Sequence, residues 1–272
     1  MIRRLAVVVP ACDEEERVGR CVASVAAAIA HLRAGSPVDP PHVGVVLAAD
    51  SCTDRTVERA RRAWAASCLA EDTARLEVLS GRWRSAGGAR AAAARHALSW
   101  TPGPEWLAST DADTAVPENW LAHQVERAAH GVDAVLGTVE PDPAECPEAV
   151  QRLWRSEHVL AEGHPHIHAA NMGVRARCYE RAGGFPPVEC SEDEALVAAL
   201  RAAGARVEAT DRIRAVTSGR LEGRAELGFA HHLLSLARLA DAGQPGPAPT
   251  MGHRGPAGRS GSPRHFAPRG NA

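Results

Sequence analysis

The sequence predicts an α/β fold with a mostly parallel central sheet flanked by helices, followed by a less regular C-terminal half. Three observations predict it. Short β-branched runs alternate with amphipathic helical stripes through the first half of the chain, the signature of βαβ units. The runs are continuously apolar, as in strands covered on both faces. Each run also leaves into a polar, acid-bearing stretch, at the strand ends where open α/β sheets bind ligands.

Leu5 to Val9 is the first such run, ended by Pro10. The acids Asp13 to Glu16 follow and are expected in a first helical turn, where the helix macrodipole favours them. Val18, Val22, Val25, Ile29 and Leu32 then form a stripe at spacings of four and three. Val43 to Ala48 is the second strand. Its exit, Asp50-Ser-Cys-Thr-Asp54, opens a helix carrying Val57, Ala60 and Trp64, with Thr53 or Ser51 as N-cap. Leu76 to Leu79 is a third strand, and Gly81 to Gly88 a loop rich in Gly and Arg. Ala89 to Trp100 is a helix by its alanine content.

Trp106 to Asp111 is a strand that emerges into Asp111-Ala-Asp113, and Pro117 is expected at the first position of the next helix. Val132 to Val139 continues the sheet. After Pro141, Pro143 and Pro147 a helix is expected to about Ala161. His166 to Val174 reads as a strand, and Gly183 to Pro187 as a turn. Ser191 to Ala203 reads as a helix, Arg206 to Thr210 and Ile213 to Thr217 as short strands, and Glu222 to Ala242 as a last helix. From Gly243 on, Gly, Pro, Ser and Arg dominate, and such a segment cannot bury enough apolar surface to offset its ordering entropy. The expected organisation is one domain over residues 1–242 and a disordered tail over 243–272.

Composition narrows the function. The 31 basic residues are all arginine, which excludes a Schiff-base or Walker-type lysine. A net charge of −2 gives no global attraction to nucleic acid or an anionic membrane. No window approaches the roughly 20 apolar residues of a membrane span. Seven scattered cysteines, with no CxxC and no signal peptide, predict reduced thiols and a cytoplasmic protein.

Five stretches fall where the sheet would present its ligand edge. They are Pro10-Ala-Cys-Asp-Glu14, Asp50-Ser-Cys-Thr-Asp54, Gly87-Gly-Ala-Arg90, Asp111-Ala-Asp113 and Ser191-Glu-Asp-Glu194. The carboxylates of Asp111 and Asp113 suit a hard divalent cation, which suits a substrate diphosphate. Taken alone, Ser191-x-x-Glu194 reads as a capping box. His164, His166 and His168 alternate, which on a strand puts them on one face. That pattern supports a rival reading, a zinc-dependent hydrolase.

In order and spacing these stretches resemble the family-2 glycosyltransferases of GT-A fold, a Rossmann-like architecture. The resemblance runs from about Arg3 to Leu234. It is carried by Val8-Val-Pro-Ala-Cys-Asp-Glu-Glu15, Val46 to Thr56, Ser109-Thr-Asp-Ala-Asp113, Ala170-Asn-Met-Gly173, Gly183-Gly-Phe185 and Glu192-Asp193. It implies a nucleotide-diphospho-sugar donor, a small-molecule or glycan acceptor, and Mg²⁺ or Mn²⁺. By the same resemblance Pro10, Ala11, Cys12, Glu14 and Asp50 hold the nucleoside, and Gly88 and Arg90 approach the diphosphate. Asp111 contacts the ribose of the donor or the metal, Ala112 lies against the donor, and Asp113 ligates the cation. Asp193, or alternatively Glu192, takes the proton from the acceptor hydroxyl, so the anomeric centre inverts. Asn171, Arg220 and Arg224 are further candidate contacts to diphosphate or acceptor. A metal-binding histidine found in the glucosyl-3-phosphoglycerate synthase branch has Ser218 or Gly219 near its position here. The Gln-x-x-Arg-Trp motif of processive synthases is absent, which implies transfer of single sugars. Ala49 stands where the family often has an acid, and this supports a second alternative, a non-catalytic nucleotide-sugar-binding relative.

Overall fold

The computed structural model describes residues 2–35, 40–67, 69, 74–186, 188, 191–223 and 228–243. The tail expected over 243–272 and the candidate Arg224 lie almost wholly or wholly outside them.

Among the described residues eight strands form one sheet in the order β3-β2-β1-β4-β7-β6-β8-β5. They are β1 (Arg4–Ala11), β2 (His42–Asp50), β3 (Ala74–Gly81), β4 (Trp106–Ser109), β5 (Thr114–Ala115), β6 (Ala134–Pro141), β7 (Met172–Arg175) and β8 (Val207–Thr217). Among the described residues four pairings are parallel (β1–β2, β1–β4, β2–β3, β6–β8) and three antiparallel (β4–β7, β6–β7, β5–β8). The helices are α1 (Val18–Ala34), α2 (Thr56–Ala66), α3 (Ala86–Leu98), α4 (Trp120–Ala129), α5 (Glu148–Glu157), α6 (Ala176–Arg181), α7 (Glu192–Ala202) and α8 (Phe229–Asp241).

Strand β1 shows how the layers arise. Leu5, Val7 and Val9 face one core, shared with α1, α2 and α4. Ala6 and Val8 face the other, shared with α3 and α7. The period-2 alternation of a strand sends successive side chains to opposite faces, so a run buried on both sides must be apolar throughout. The alanines of α3 (Ala89, Ala93, Ala94, Ala97) are fully buried or nearly so. Their small side chains let α3 lie close on β1 and β2. A third, smaller core joins α5 to α8 through Trp154, Leu233 and Leu236.

Several local expectations are corrected. Helix α1 begins only at Val18, so the acids 13–16 are not in a first helical turn. Asp13 takes a left-handed φ of 46°, and its carboxylate accepts the Thr53 N–H at 2.6 Å and the Asp54 N–H at 3.2 Å. In return Asp54 accepts the Glu15 N–H at 2.9 Å, so the exits of β1 and β2 are laced together. Asp54 also accepts the Thr56 N–H at 2.9 Å, taking the capping role expected of Thr53 or Ser51. Pro117 precedes α4 by a turn in which its carbonyl accepts the Trp120 N–H. Ser191 makes no side-chain cap on α7 and sits at φ 59°, so no capping box forms. The strand expected from His166 starts at Met172, after a 3₁₀ turn over Ala169–Asn171. The two short strands after Arg206 are one, β8. The last helix starts at Phe229 rather than Glu222, and residues 224–227 fall outside the described set.

Candidate active site

The C-terminal ends of β1, β2 and β4 lie side by side in parallel register, so their exits share one rim. Beyond Ser109 the chain turns through Asp111-Ala-Asp113 into β5, where Thr114 pairs with Thr217 of β8. Helix α1 supports this turn from below. The Cys21 thiol donates to the Asp111 carbonyl at 3.2 Å, and the Ser24 hydroxyl accepts the Val116 N–H at 3.1 Å. Burial, then Asp113 and Asp111, push the Cys21 thiol far above its usual range, so it stays a thiol that packs and donates.

Two guanidinium groups organise the acids. Arg90, on α3, is 2% exposed. It reaches Asp111 at 2.6 Å on one side and Glu192, at the start of α7, on the other. The face of Phe185 lies 5.3 Å from the same guanidinium. Arg220, just after β8, reaches both oxygens of Glu14 at 2.6 and 2.8 Å and Asp113 at 3.1 Å. Each arginine therefore spans two acids from distant parts of the chain. Burial pushes the Asp113 carboxyl up to about 6; Asp111 and Glu14 add to the rise and Arg220 opposes it.

Asp50 is buried at the end of β2, and its carboxylate accepts the Trp83 N–H at 2.8 Å. That bond fixes the loop leading into α3. A Cβ on Gly87 would sit 3.0 Å from the Glu192 Cγ, so a glycine lets α3 approach α7. Asp193, next to Glu192, is partly open. One of its oxygens accepts the Ala169 N–H at 2.8 Å and the other the Glu194 N–H at 2.9 Å.

The profile describing glycosyl transferase family 2 matches residues 6–178. The chain belongs to that family.

Solved structures agree on the fold. The glycosyltransferase superposes on residues 1–349 of TarS from S. aureus with a TM-score of 0.56 at 15% identity, covering 88% of this chain and 72% of that one. It superposes on the mannosyltransferase PcManGT from Pyrobaculum calidifontis, in complex with GDP-Man and Mn²⁺, with a TM-score of 0.53 at 23% identity, covering 92% and 66%. Glucosyl-3-phosphoglycerate synthase from Mycobacterium tuberculosis, in complex with Mn²⁺, UDP and glucosyl-3-phosphoglycerate, gives 0.52 at 16%, covering 89% and 81%. No curated protein sequence matches the chain. Among the described residues no helix of the glycosyltransferase is long and apolar enough to cross a membrane.

Within this frame several expected contacts take other roles. Arg90 is not a fork presented to a ligand; it is sealed between Asp111 and Glu192. Glu192 is committed to Arg90 and buried, which sets it apart from Asp193. The nearest neighbours of a Cβ on Gly88 would be Ser85 Oγ at 3.0 Å and the Trp83 carbonyl at 3.1 Å, so that glycine serves the tight start of α3. Asn171 is fully buried. Its amide donates to the Thr138 and Ile213 carbonyls at 2.7 and 2.6 Å and accepts from Trp120 Nε1 at 2.9 Å. It ties the core and reaches no ligand. The Ala112 side chain packs into the core, leaving only its backbone for a donor, as with Pro10 and Ala11 of β1. Ser218 donates to Glu145 at 2.6 Å.

The three alternating histidines do not converge. Their rings stand nearly parallel, with centroids 5.8 and 6.0 Å apart. His164 is bonded to the Leu136 carbonyl, and His166 Nε2 accepts the Val159 N–H. Together with family membership this removes the hydrolase reading. What sequence reasoning missed is the support beneath the acids: Cys21 and Ser24 of α1, and the Arg17–Glu145 pair at 3.2 Å. The stripe of α1 marks Cys21 as inward-facing, but nothing in its spacing says what it faces. A cavity of about 80 Å³ bounded by Cys21, Asp113, Glu145 and Ser218 lies beside Asp113. It is several-fold smaller than a site for a whole nucleotide sugar.

Proposed function

We propose that this chain transfers a single sugar from a nucleotide-diphospho-sugar to a hydroxyl of a discrete acceptor, with inversion at the anomeric carbon. The observation that carries the reading is the balance of charge at the rim. Glu14, Asp111 and Asp113 meet at the exits of β1 and β4. Arg220 answers Glu14 and Asp113, and Asp111 leans on Arg90. Burial, with Asp111 and Glu14 beside it, holds the Asp113 carboxyl up to about 6 despite Arg220, so a cation bound there would be favoured. The residues fit a hard divalent ion: the two carboxylates and the nearby hydroxyls of Thr114 and Thr217 offer oxygen, and the Cys21 thiol beside them is kept protonated by burial and is spent on the Asp111 carbonyl. Asp113 would hold Mg²⁺ or Mn²⁺, with Asp111 beside it. Such an ion neutralises charge on a leaving diphosphate. The ligands printed for the similar solved structures, GDP-Man with Mn²⁺ and UDP with Mn²⁺, support this choice.

The chain's own residues then divide the work. The Asp50 carboxylate has acceptor capacity left after Trp83, and suits the N–H edge of a base. Glu14, with the backbone of Pro10, Ala11 and Cys12, lines the same rim. Asp193 takes the proton from the acceptor hydroxyl. Its two backbone hydrogen bonds aim the carboxylate, whereas Glu192 is spent on Arg90. Arg220 is poised to exchange its carboxylates for a diphosphate. Thiols outside disulfides at Cys21, Cys52, Cys146 and Cys178 support a reducing, cytoplasmic setting.

The test is Asp193→Asn. Turnover should fall by about 10²- to 10⁴-fold, the usual worth of a positioned base, while donor binding holds. The melting temperature should drop only slightly, because the Asn oxygen keeps one of the two backbone N–H bonds and its amide nitrogen cannot accept the other. Wild-type turnover in this variant would remove Asp193 from the chemistry. Turnover absent from the wild type itself, with donor binding intact, would favour the non-catalytic relative.

A further inference from the structure

Far along α5 from the acidic rim, a second set of metal-type ligands gathers. Glu145, three residues before the start of α5, lines the cavity beside Asp113. Glu157 closes that helix nine residues after Glu148, about 13 Å further along at 1.5 Å per residue. At His158 the chain leaves the helix, with φ −112° and ψ 131°. Neighbouring residues inside a helix diverge by about 100°. The break lets Glu157 and His158 turn toward one centre.

Helix α8 supplies the third group. Phe229 and His232 lie three residues apart and so share a helix face. Phe229 packs edge-on to Trp154 of α5, with ring centroids 6.3 Å apart. His232 Nε2 lies 3.3 Å from Glu157 Oε2. The contact is close enough for an ion pair, but it does not point along a hydrogen bond, and this nitrogen is buried with no hydrogen-bond partner. The His158 ring stacks on Trp154 at 4.0 Å and stands 5.8 Å from the His232 ring. Its Nδ1 lies 2.8 Å from the Trp154 carbonyl. That contact requires the proton on Nδ1 and leaves a bare lone pair on Nε2. A ligating histidine is ordinarily oriented by such a bond from its other nitrogen.

We propose that Glu157, His158 and His232 form a binding site for a borderline divalent transition ion, zinc foremost, separate from the hard-cation site at Asp113. The ligand atoms of the three residues all lie within 4.8 Å of one another. The 3.3 Å edge between His232 and Glu157 is that of a tetrahedron with zinc bonds of about 2.0–2.1 Å. Two imidazoles and one carboxylate select zinc-like ions over Mg²⁺ or Ca²⁺, which prefer all-oxygen sets. Three protein ligands leave a fourth position for water. The ion would join the first turn of α8 to the end of α5, across the smaller third core.

The experiment uses the full chain, stripped with EDTA and dialysed. Zn²⁺ is titrated by competition against a chromogenic chelator, and Co²⁺ is followed by its visible absorption. One Zn²⁺ per chain, a tetrahedral Co²⁺ spectrum and a rise in melting temperature with added Zn²⁺ are expected. Excess Mg²⁺ should displace neither. Glu157→Gln and His232→Asn should each weaken zinc at least about tenfold, since even the loss of an outer-shell partner costs that much. His231→Ala, at the exposed neighbouring position, should leave it unchanged. Circular dichroism verifies that each variant folds. No stoichiometric zinc, or equal affinity in the His158→Ala/His232→Asn double variant, would overturn the site.

Discussion

Arg90 and Arg220 do the same thing in two different settings, and the difference separates scaffold from machinery. Each is one guanidinium between two carboxylates drawn from distant segments. Arg90 is 2% exposed and sealed by Phe185. Arg220 keeps 23% of its side chain open to solvent. A buried cation cannot leave its partners without stranding two charges, so Arg90 is a fixed staple holding α3, the Asp111 turn and α7. A partly open cation can trade one anion for another if a second cation arrives to hold the carboxylates it leaves, here Glu14 and Asp113 at 8% and 17% exposed. Arg220 is therefore the arginine we propose to exchange its carboxylates for a diphosphate.

The sharpest way to break this contrast is Arg90→Ala. It should cost about 3 kcal/mol in denaturant unfolding, the low end for a broken buried pair because Asp111 is still about a third exposed. A loss under about 1 kcal/mol would put Arg90 in the same class as Arg220.

Acid probes the fixed side from another direction. His168 adjoins Ala169, whose N–H holds Asp193. Burial, then His166, His158 and His164, lower its pKa from 6.5 to about 3. The unfolded chain therefore takes up a proton below pH 6.5 that the fold refuses until about pH 3. Stability from this group is complete above pH 6.5 and falls through that window by up to roughly 1 kcal/mol per pH unit. His168→Asn should flatten the fall between pH 6 and 4.5, read as melting temperature against pH. An unchanged slope would mean His168 is solvated.

The smallest effect belongs to Arg220→Ala, about 1 kcal/mol in stability: its guanidinium is partly open to water, but Glu14 and Asp113 are 8% and 17% exposed, so the loss should not vanish as it can for a fully exposed pair. Its binding consequences should be larger and opposite in sign. Mn²⁺ alone should bind more tightly once the competing cation is gone, and a nucleoside diphosphate less tightly. Calorimetry reads both, and a stability loss near that of Arg90→Ala would erase the distinction.

The contrast also explains what sequence alone could carry. The N-terminal sheet was legible because Leu5–Val9 and Val43–Ala48 are continuous apolar runs, and burial on both faces leaves a strand no other choice. Asp50, Asp111, Asp113 and Asp193 were legible as positions. Their partners were not, since Arg90 and Arg220 reach across 21 to 206 residues of chain and no local period encodes such pairs. Asn171 shows the limit: a polar residue in a motif reads as a contact, yet its amide is consumed by Thr138, Ile213 and Trp120. The segment from His164 to His168 departs from its sequence pattern for a related reason. Alternation suggested a strand, but with His164 and His166 bonded to single backbone groups it has no ladder to join.

Asp113, as we propose, seats the cation that brings a diphosphate to the rim. Calorimetric titration of UDP and GDP into the wild-type chain and Asp113→Asn, each with Mn²⁺ and with EDTA, tests that most directly. Binding of at least one of the two nucleotides that appears with Mn²⁺, disappears with EDTA and weakens at least about tenfold in the variant, a loss of roughly 1.4 kcal/mol, is the predicted result. Equal affinity in all four conditions would contradict it.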